Sequence, residues 1–325
     1  MFKSAIKKAT DKFSAVNSIY GEMPDRPKHL DFNTDSIDDS FAAGKATLNE
    51  NNLFLILEEK TLTLPFKSVV PSGKDIRGAI IFLGYDKEIP NKYLPAEEIC
   101  DRGYAVFSIC VSDVSPISGD FKSGIGKFIA GTRKKKYAPG KIALWAWAAA
   151  RLVEQVCSLD YIDPNRVIIC GHGLCARAAM LTAGYCENID YVIANGLYAS
   201  PCPCSDKASM TVYEAPYLYS PSFAADPYKD EIEALMTVCA PKKIMIGAAM
   251  DGDYFNLSRD IELIKLISEK YYATKKFKGF IYKEIPTAPC TYGEGDISYH
   301  ARPGRDYLSR EDWKCFLDYL DSKSN

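Results

Sequence analysis

No run of the 325 residues approaches the ~18 consecutive apolar residues that a membrane-spanning helix needs, so no segment is expected to cross a bilayer. The N-terminal stretch Met1-Phe-Lys-Ser-Ala-Ile-Lys-Lys is positively charged but has no apolar stretch behind it, which gives no sign of a secretory signal. Excess positive charge is also missing. Forty Lys and Arg stand against 42 Asp and Glu, a formal net charge of −2, so no field exists to draw in a phosphate backbone and nucleic acid is not an expected partner. The basic run Arg133-Lys-Lys-Lys136 reads as a solvated turn. Eleven cysteines show no regular spacing, and Cys110 and Cys170 sit in apolar runs where a thiol behaves as a small hydrophobe. That usage fits a reducing compartment, and a cytoplasmic location is expected. Histidine is scarce: His29, His172 and His300 are the full complement.

What is present is an ordinary globular composition, 47% hydrophobic and 25% charged, enough for a large core and giving no reason to expect disorder. Residues 1–50 are polar and weakly patterned and read as a peripheral helix followed by an extended arm. Residues 51–325 read as one domain. It opens with an antiparallel hairpin, Leu53–Glu58 and Leu62–Val70. Gly78-Ala-Ile-Ile-Phe-Leu-Gly84 and Tyr104-Ala-Val-Phe-Ser-Ile-Cys110 are continuous apolar strands with a helix between them, as in a parallel sheet covered on both faces. Apolar residues at three- and four-residue steps predict a helix over Lys141–Leu159. A short strand, Arg166–Cys170, leads into a helix over Leu174–Tyr185. Strands are expected at Tyr191–Asn195, Lys243–Ala249 and Gly279–Glu284, and helices over Asp260–Tyr272 and from Ser309-Arg-Glu-Asp312 onward, the last with a capping signature. Residues 201–241, rich in Tyr, Pro and Asp, read as an insertion over the C-terminal edge of the sheet.

The stretch that carries chemistry is the strand ending at Cys170 and the following Gly171-His-Gly-Leu-Cys-Ala-Arg177. A strand that turns sharply into a helix, with small residues packed around the turn, is the form of a nucleophile elbow, and the helix amides stabilise an oxyanion there. This turn, Lys141-Ile-Ala-Leu-Trp-Ala-Trp147, Ala240-Pro-Lys-Lys-Ile-Met-Ile-Gly247, Asp296–Gly304 and Leu308-Ser-Arg-Glu-Asp-Trp313 together resemble the α/β-hydrolase group that contains acetyl xylan esterases and glucuronoyl esterases. The likeness covers most of residues 78–322. It implies an α/β-hydrolase fold, a mostly parallel central sheet with helices on both faces, and the elbow pattern G-x-S-x-x-G. Here Gly173 stands in the serine slot and Ala176 in the last glycine slot. The resemblance also places a catalytic histidine just before the final helix, where this chain has Asp306. The acid slot falls on the loop holding Asp251 and Asp253, and the oxyanion side of the pocket involves Gly84, Tyr85, Leu174 and His172.

Two readings follow from these departures. One is a non-catalytic relative that binds a small molecule, a saccharide or a partner through the old pocket and the tyrosines Tyr213, Tyr217 and Tyr219. The other is an ester hydrolase with a rearranged site that uses Cys175 or His300. Against the second, moving the elbow to Cys175 puts Arg177 where a small residue is needed, and His300 lies six positions before the histidine slot. His172 is most simply a packing residue, as are Trp145, Trp147 and Trp313. Asp251 and Asp253 are most simply solvated. Cys202-Pro-Cys204 is too short a pair for a zinc site without ligands from elsewhere. No metal or cofactor is expected.

Overall fold

Runs of consecutive apolar residues become the middle of one sheet. The computed structural model describes residues 12–73, 75–131, 133–197, 215–225, 231–253, 255–281, 289–292 and 294–323. Among these, ten strands are ordered β1-β2-β3-β5-β4-β6-β7-β8-β10-β9. They are β1 His29–Ser40, β2 Ala46–Ile56, β3 Thr61–Pro71, β4 Gly78–Gly84, β5 Tyr104–Cys110, β6 Val167–His172, β7 Ile189–Asn195, β8 Lys243–Ala249, β9 Cys290–Tyr292 and β10 Ile297–Arg302. The neighbours from β5 through β4, β6, β7 and β8 to β10 are all parallel. β1, β2 and β3 extend the sheet antiparallel beyond β5, and β9 closes the other edge antiparallel to β10. This is the expected α/β architecture.

Alternation along the strands assigns each residue to one of two cores. Ala79, Ile81 and Leu83 of β4 face a core shared with α2 (Lys141–Val156), α3 (Leu174–Tyr185), α4 (Glu231–Cys239) and α5 (Leu257–Tyr271). Ile80 and Phe82 face a smaller one with α1 (Ala96–Asp101) and α6 (Arg310–Ser322). Both faces are covered, so every residue of β5 and of β10 is buried. The expected helix starting at Ser309 is capped as predicted: Ser309 and Asp312 form a reciprocal capping box.

The structure departs from the sequence reading in three places. The arm before the hairpin is a full strand, β1, paired along its length with β2. Its residues are almost all exposed and include Asp31, Asp35, Asp38 and Asp39, so no apolar alternation betrays it. Such charges protect a long exposed edge from pairing with other chains. The helix over residues 12–20 buries Val16, Ile19 and Tyr20 in the larger core. Residues 279–281 lack regular structure and the rest of the expected Gly279–Glu284 strand lies outside the described residues, while β10 is a strand where only the Asp296–Gly304 motif was read, and β9 is a short strand that no sequence reading covered.

Within the Tyr-rich insertion, Tyr213, Cys202 and Cys204 lie outside the described residues. The described part of it enters the core. Leu218, Tyr219 and Phe223 are buried, and α4 packs on α3. Arg177 of α3 and Glu231 of α4 form an ion pair at 3.1 Å with both side chains fully buried. Tyr219 bonds to Arg177 at 3.0 Å, and Tyr20 donates to Glu231. One buried pair thus ties the N-terminal helix, the insertion and two core helices together. Removing one partner leaves an uncompensated charge in the interior, so Arg177→Met is expected to lower the unfolding free energy by about 3 kcal/mol in urea titration.

Candidate functional site

At the end of β6 the chain reverses into α3 so tightly that a β-carbon on Gly171 would overlap the carbonyl of Cys175. Gly173, the N-cap of α3, has φ +60° and ψ −120°, a conformation that favours glycine. A β-carbon there would meet nothing within 4 Å, so the position looks into open space. A side chain would have room, at a backbone cost on the order of 1–3 kcal/mol. The leading amides of a helix have no intrahelical acceptors, and those of α3 start at this point.

Three side chains hold the neighbouring His172. Its Nδ1 lies 2.7 Å from Asn195 Oδ1, its ring stacks on Tyr93 with centroids 6.2 Å apart, and its Nε2 is 3.9 Å from Asp306 Oδ2. Asp306 comes from the loop between β10 and α6, and Arg302 organises that loop. The Arg302 guanidinium donates to the carbonyls of Pro303, Arg305 and Tyr307, and its Nε donates to Asp312 at 2.8 Å. The loop therefore presents Asp306 so close to the elbow that a β-carbon on Gly196 would lie 2.8 Å from Asp306 and 2.9 Å from the His172 ring. Burial pushes the Asp306 carboxyl above the ordinary carboxylate range, and His172 and Arg302 pull it part of the way back.

The loop after β8 lies alongside. Asp251 donates its amide to Gly304 at 2.9 Å, and Asp251 and Asp253 are exposed. They line a cavity of about 290 Å³ with Asp306, Arg305, Phe255 and Asp260. A second cavity of about 370 Å³ opens on the other side of His172, lined by Gly84, Tyr85, Asp86, Tyr93 and Cys175. Leu174 is half-buried and packs against the larger core. The structure thus brings Asp251, Asp253 and Asp306 to one cavity and sets Asp306 beside His172, the neighbour of Gly173.

Cys175 and His300 do not come together. Cys175 belongs to the larger core, 1% exposed and hydrogen-bonded to the Tyr85 side chain, and burial pushes its thiol up to about 12. Along β10, Ile297, Tyr299 and Ala301 face that same core. His300 points to the opposite face, with Nδ1 2.8 Å from Thr291 Oγ1 and Nε2 3.6 Å from Asp312. A Cys175–His300 pair would have to reach through the sheet, so the two alternatives do not combine into one nucleophile–base site. His300 instead belongs to the Arg302–Asp312 framework.

Sequence reading missed Asn195, Tyr93, Arg302 and Asp260. Asp260 is fully buried in the wall of the smaller cavity, accepting from Tyr299 at 2.9 Å, and burial raises its carboxyl to about 6. A signal existed: Asp260, Ile264 and Ile267 share one stripe of α5, so a carboxylate lies on its buried face.

Comparison with known proteins bears on the fold. No family model matches the sequence. A carbohydrate esterase, MZ0003, from an unknown prokaryotic organism is 21% identical over 246 residues, or 69% of this chain; the chain spans about half the length of that relative, 55%. Among solved structures, a glucuronoyl esterase from Solibacter usitatus superposes with a TM-score of 0.85 at 16% identity, covering 97% of this chain and 92% of that one. A promiscuous CE15 esterase from a marine bacterial metagenome gives a TM-score of 0.80 at 18% identity over 97% and 90% of the two chains. The chain therefore has the α/β-hydrolase fold seen in glucuronoyl esterases and is similar to a carbohydrate esterase.

Two measurements check the side chains just described. Cys175 is expected to resist iodoacetamide at pH 8 in the native protein and to react only after unfolding, as read by peptide mass spectrometry; modification under native conditions contradicts its burial. For Asp260 the folded carboxyl holds its proton more tightly than the unfolded one, so its stabilising contribution is full at low pH and is lost as pH rises through about 6. The stability of the parent relative to Asp260→Asn should fall by about 3 kcal/mol between about pH 4 and pH 7 in denaturant titrations.

Proposed function

We propose that this chain is a non-catalytic relative of carbohydrate esterases that binds a small molecule or saccharide in the cleft around Gly173. The observation that carries the reading is Gly173 itself. The residue at the elbow has no nucleophilic atom, yet its backbone holds the turn and the space in front of it is open. Asp306 faces the elbow from the loop before the final helix, where the resemblance expects an imidazole. A carboxylate there can hydrogen-bond a ligand, but a serine–histidine proton transfer needs a base matched to it, which this arrangement lacks. The imidazole that is present, His172, is engaged by Asn195 and stacked on Tyr93, which supports a positioning role. Tyr85 and Tyr93 give the cavity on one side of His172 aromatic surface, and Asp251, Asp253 and Asp306 give the neighbouring cavity hydrogen-bond acceptors, a combination suited to a polyhydroxylated ligand.

The test is turnover of p-nitrophenyl acetate. The parent and Cys175→Ala are expected to match background, while Gly173→Ser combined with Asp306→His is expected to exceed the parent by at least about tenfold. Saturable parent turnover that disappears in Cys175→Ala would sink the proposal. A folded double variant with no gain counts against the assignment of the two slots.

A further inference from the structure

Away from the elbow, the second half of α2, the end of α3 and residues 23–26 enclose a cavity of about 490 Å³, within the ~300–1,000 Å³ common for small-molecule sites. α3 begins at the elbow and has 12 residues, so its far end at Tyr185 is ~18 Å from the cleft described above. Met23, Pro24, Val153 and Tyr185 provide apolar wall. The charged group set into that wall is Arg151, only 6% exposed, with its guanidinium 5.6 Å from the Trp147 ring.

Arg151 is short of acceptors. Its Nη2 donates to Glu154 Oε1 at 2.7 Å, and Arg26 donates to that same oxygen. Its Nε is buried and, among the described residues, meets no acceptor. A guanidinium carries five donors and keeps its charge, so sharing one carboxylate oxygen with a second arginine leaves it under-satisfied, and a buried donor without an acceptor is costly. Burial accordingly pulls the Arg151 pKa down against the opposing pull of Glu154. What is missing is an oxygen acceptor carrying negative charge, the kind of group that a guanidinium binds best. The charge balance limits its size: Arg26 and Arg151 face Glu154 and Glu187 around the cavity, so one further negative charge is accommodated more readily than two.

We propose that this cavity is a second ligand site, which takes a small organic monocarboxylate with its carboxylate on Arg151 and its apolar body against Met23, Pro24 and Tyr185. The probe is benzoate, titrated calorimetrically into the full chain at low salt, with inorganic phosphate run in parallel. Saturable benzoate binding is expected, weakened at least about tenfold in Arg151→Gln. Because Arg151 is buried, a second variant guards against misfolding: Glu187→Arg, at an exposed position, is expected to tighten benzoate binding severalfold. No benzoate binding, undiminished binding in folded Arg151→Gln, or no response to Glu187→Arg overturns the proposal. Phosphate binding as tight as benzoate overturns the monocarboxylate assignment.

Discussion

The contact between Arg302 and Asp312 governs the geometry of the candidate site more than any residue inside the cleft. Arg302 ends the parallel strand β10, and Asp312 sits in the first turn of the last helix, so the pair fixes the angle at which the chain leaves the sheet. The remaining guanidinium donors satisfy three carbonyls of the intervening loop, which therefore needs no regular structure to hold its shape. Asp312 also closes the capping box with Ser309 and lies beside His300. One buried carboxylate serves the strand, the loop and the helix, a concentration of roles that makes such networks sensitive to the loss of any member.

The sheet then divides the labour. One face carries α2, α3, α4 and α5 with the Arg177–Glu231 pair at its centre, and the other carries α1 and α6. The elbow, the loop after β8 and the loop after β10 all emerge at the C-terminal ends of parallel strands, where open α/β sheets place their ligands. The cleft exists because the fold brings these loops together, and the chemistry it can perform depends on which side chains those loops present.

Much of this architecture was legible in the sequence. β4, β5 and β8 are continuous apolar runs because both faces of a parallel strand are covered, and Ser309 with Asp312 announces a helix start through spacing alone. The elbow was legible because its glycines sit at the turn between strand and helix. Other features depend on contacts between distant residues, and local patterns cannot encode those. β1 is an exposed edge whose polar residues hide its pairing with β2. Asn195 becomes a partner of His172 only because β7 lies next to β6. The separation of His300 from Cys175 follows from simple alternation, but only once Ile297–Arg302 is recognised as a strand.

Gly173 has a consequence for how much change the chain tolerates. A serine in the same turn holds its backbone under tension that the rest of the molecule must counterbalance, and glycine adopts that conformation without penalty. A fold relieved of that demand has a wider margin above its stability threshold, so more substitutions elsewhere can accumulate before it fails. Sequence identity of 16% beneath a TM-score of 0.85 marks a backbone preserved in outline while the side chains on it largely differ.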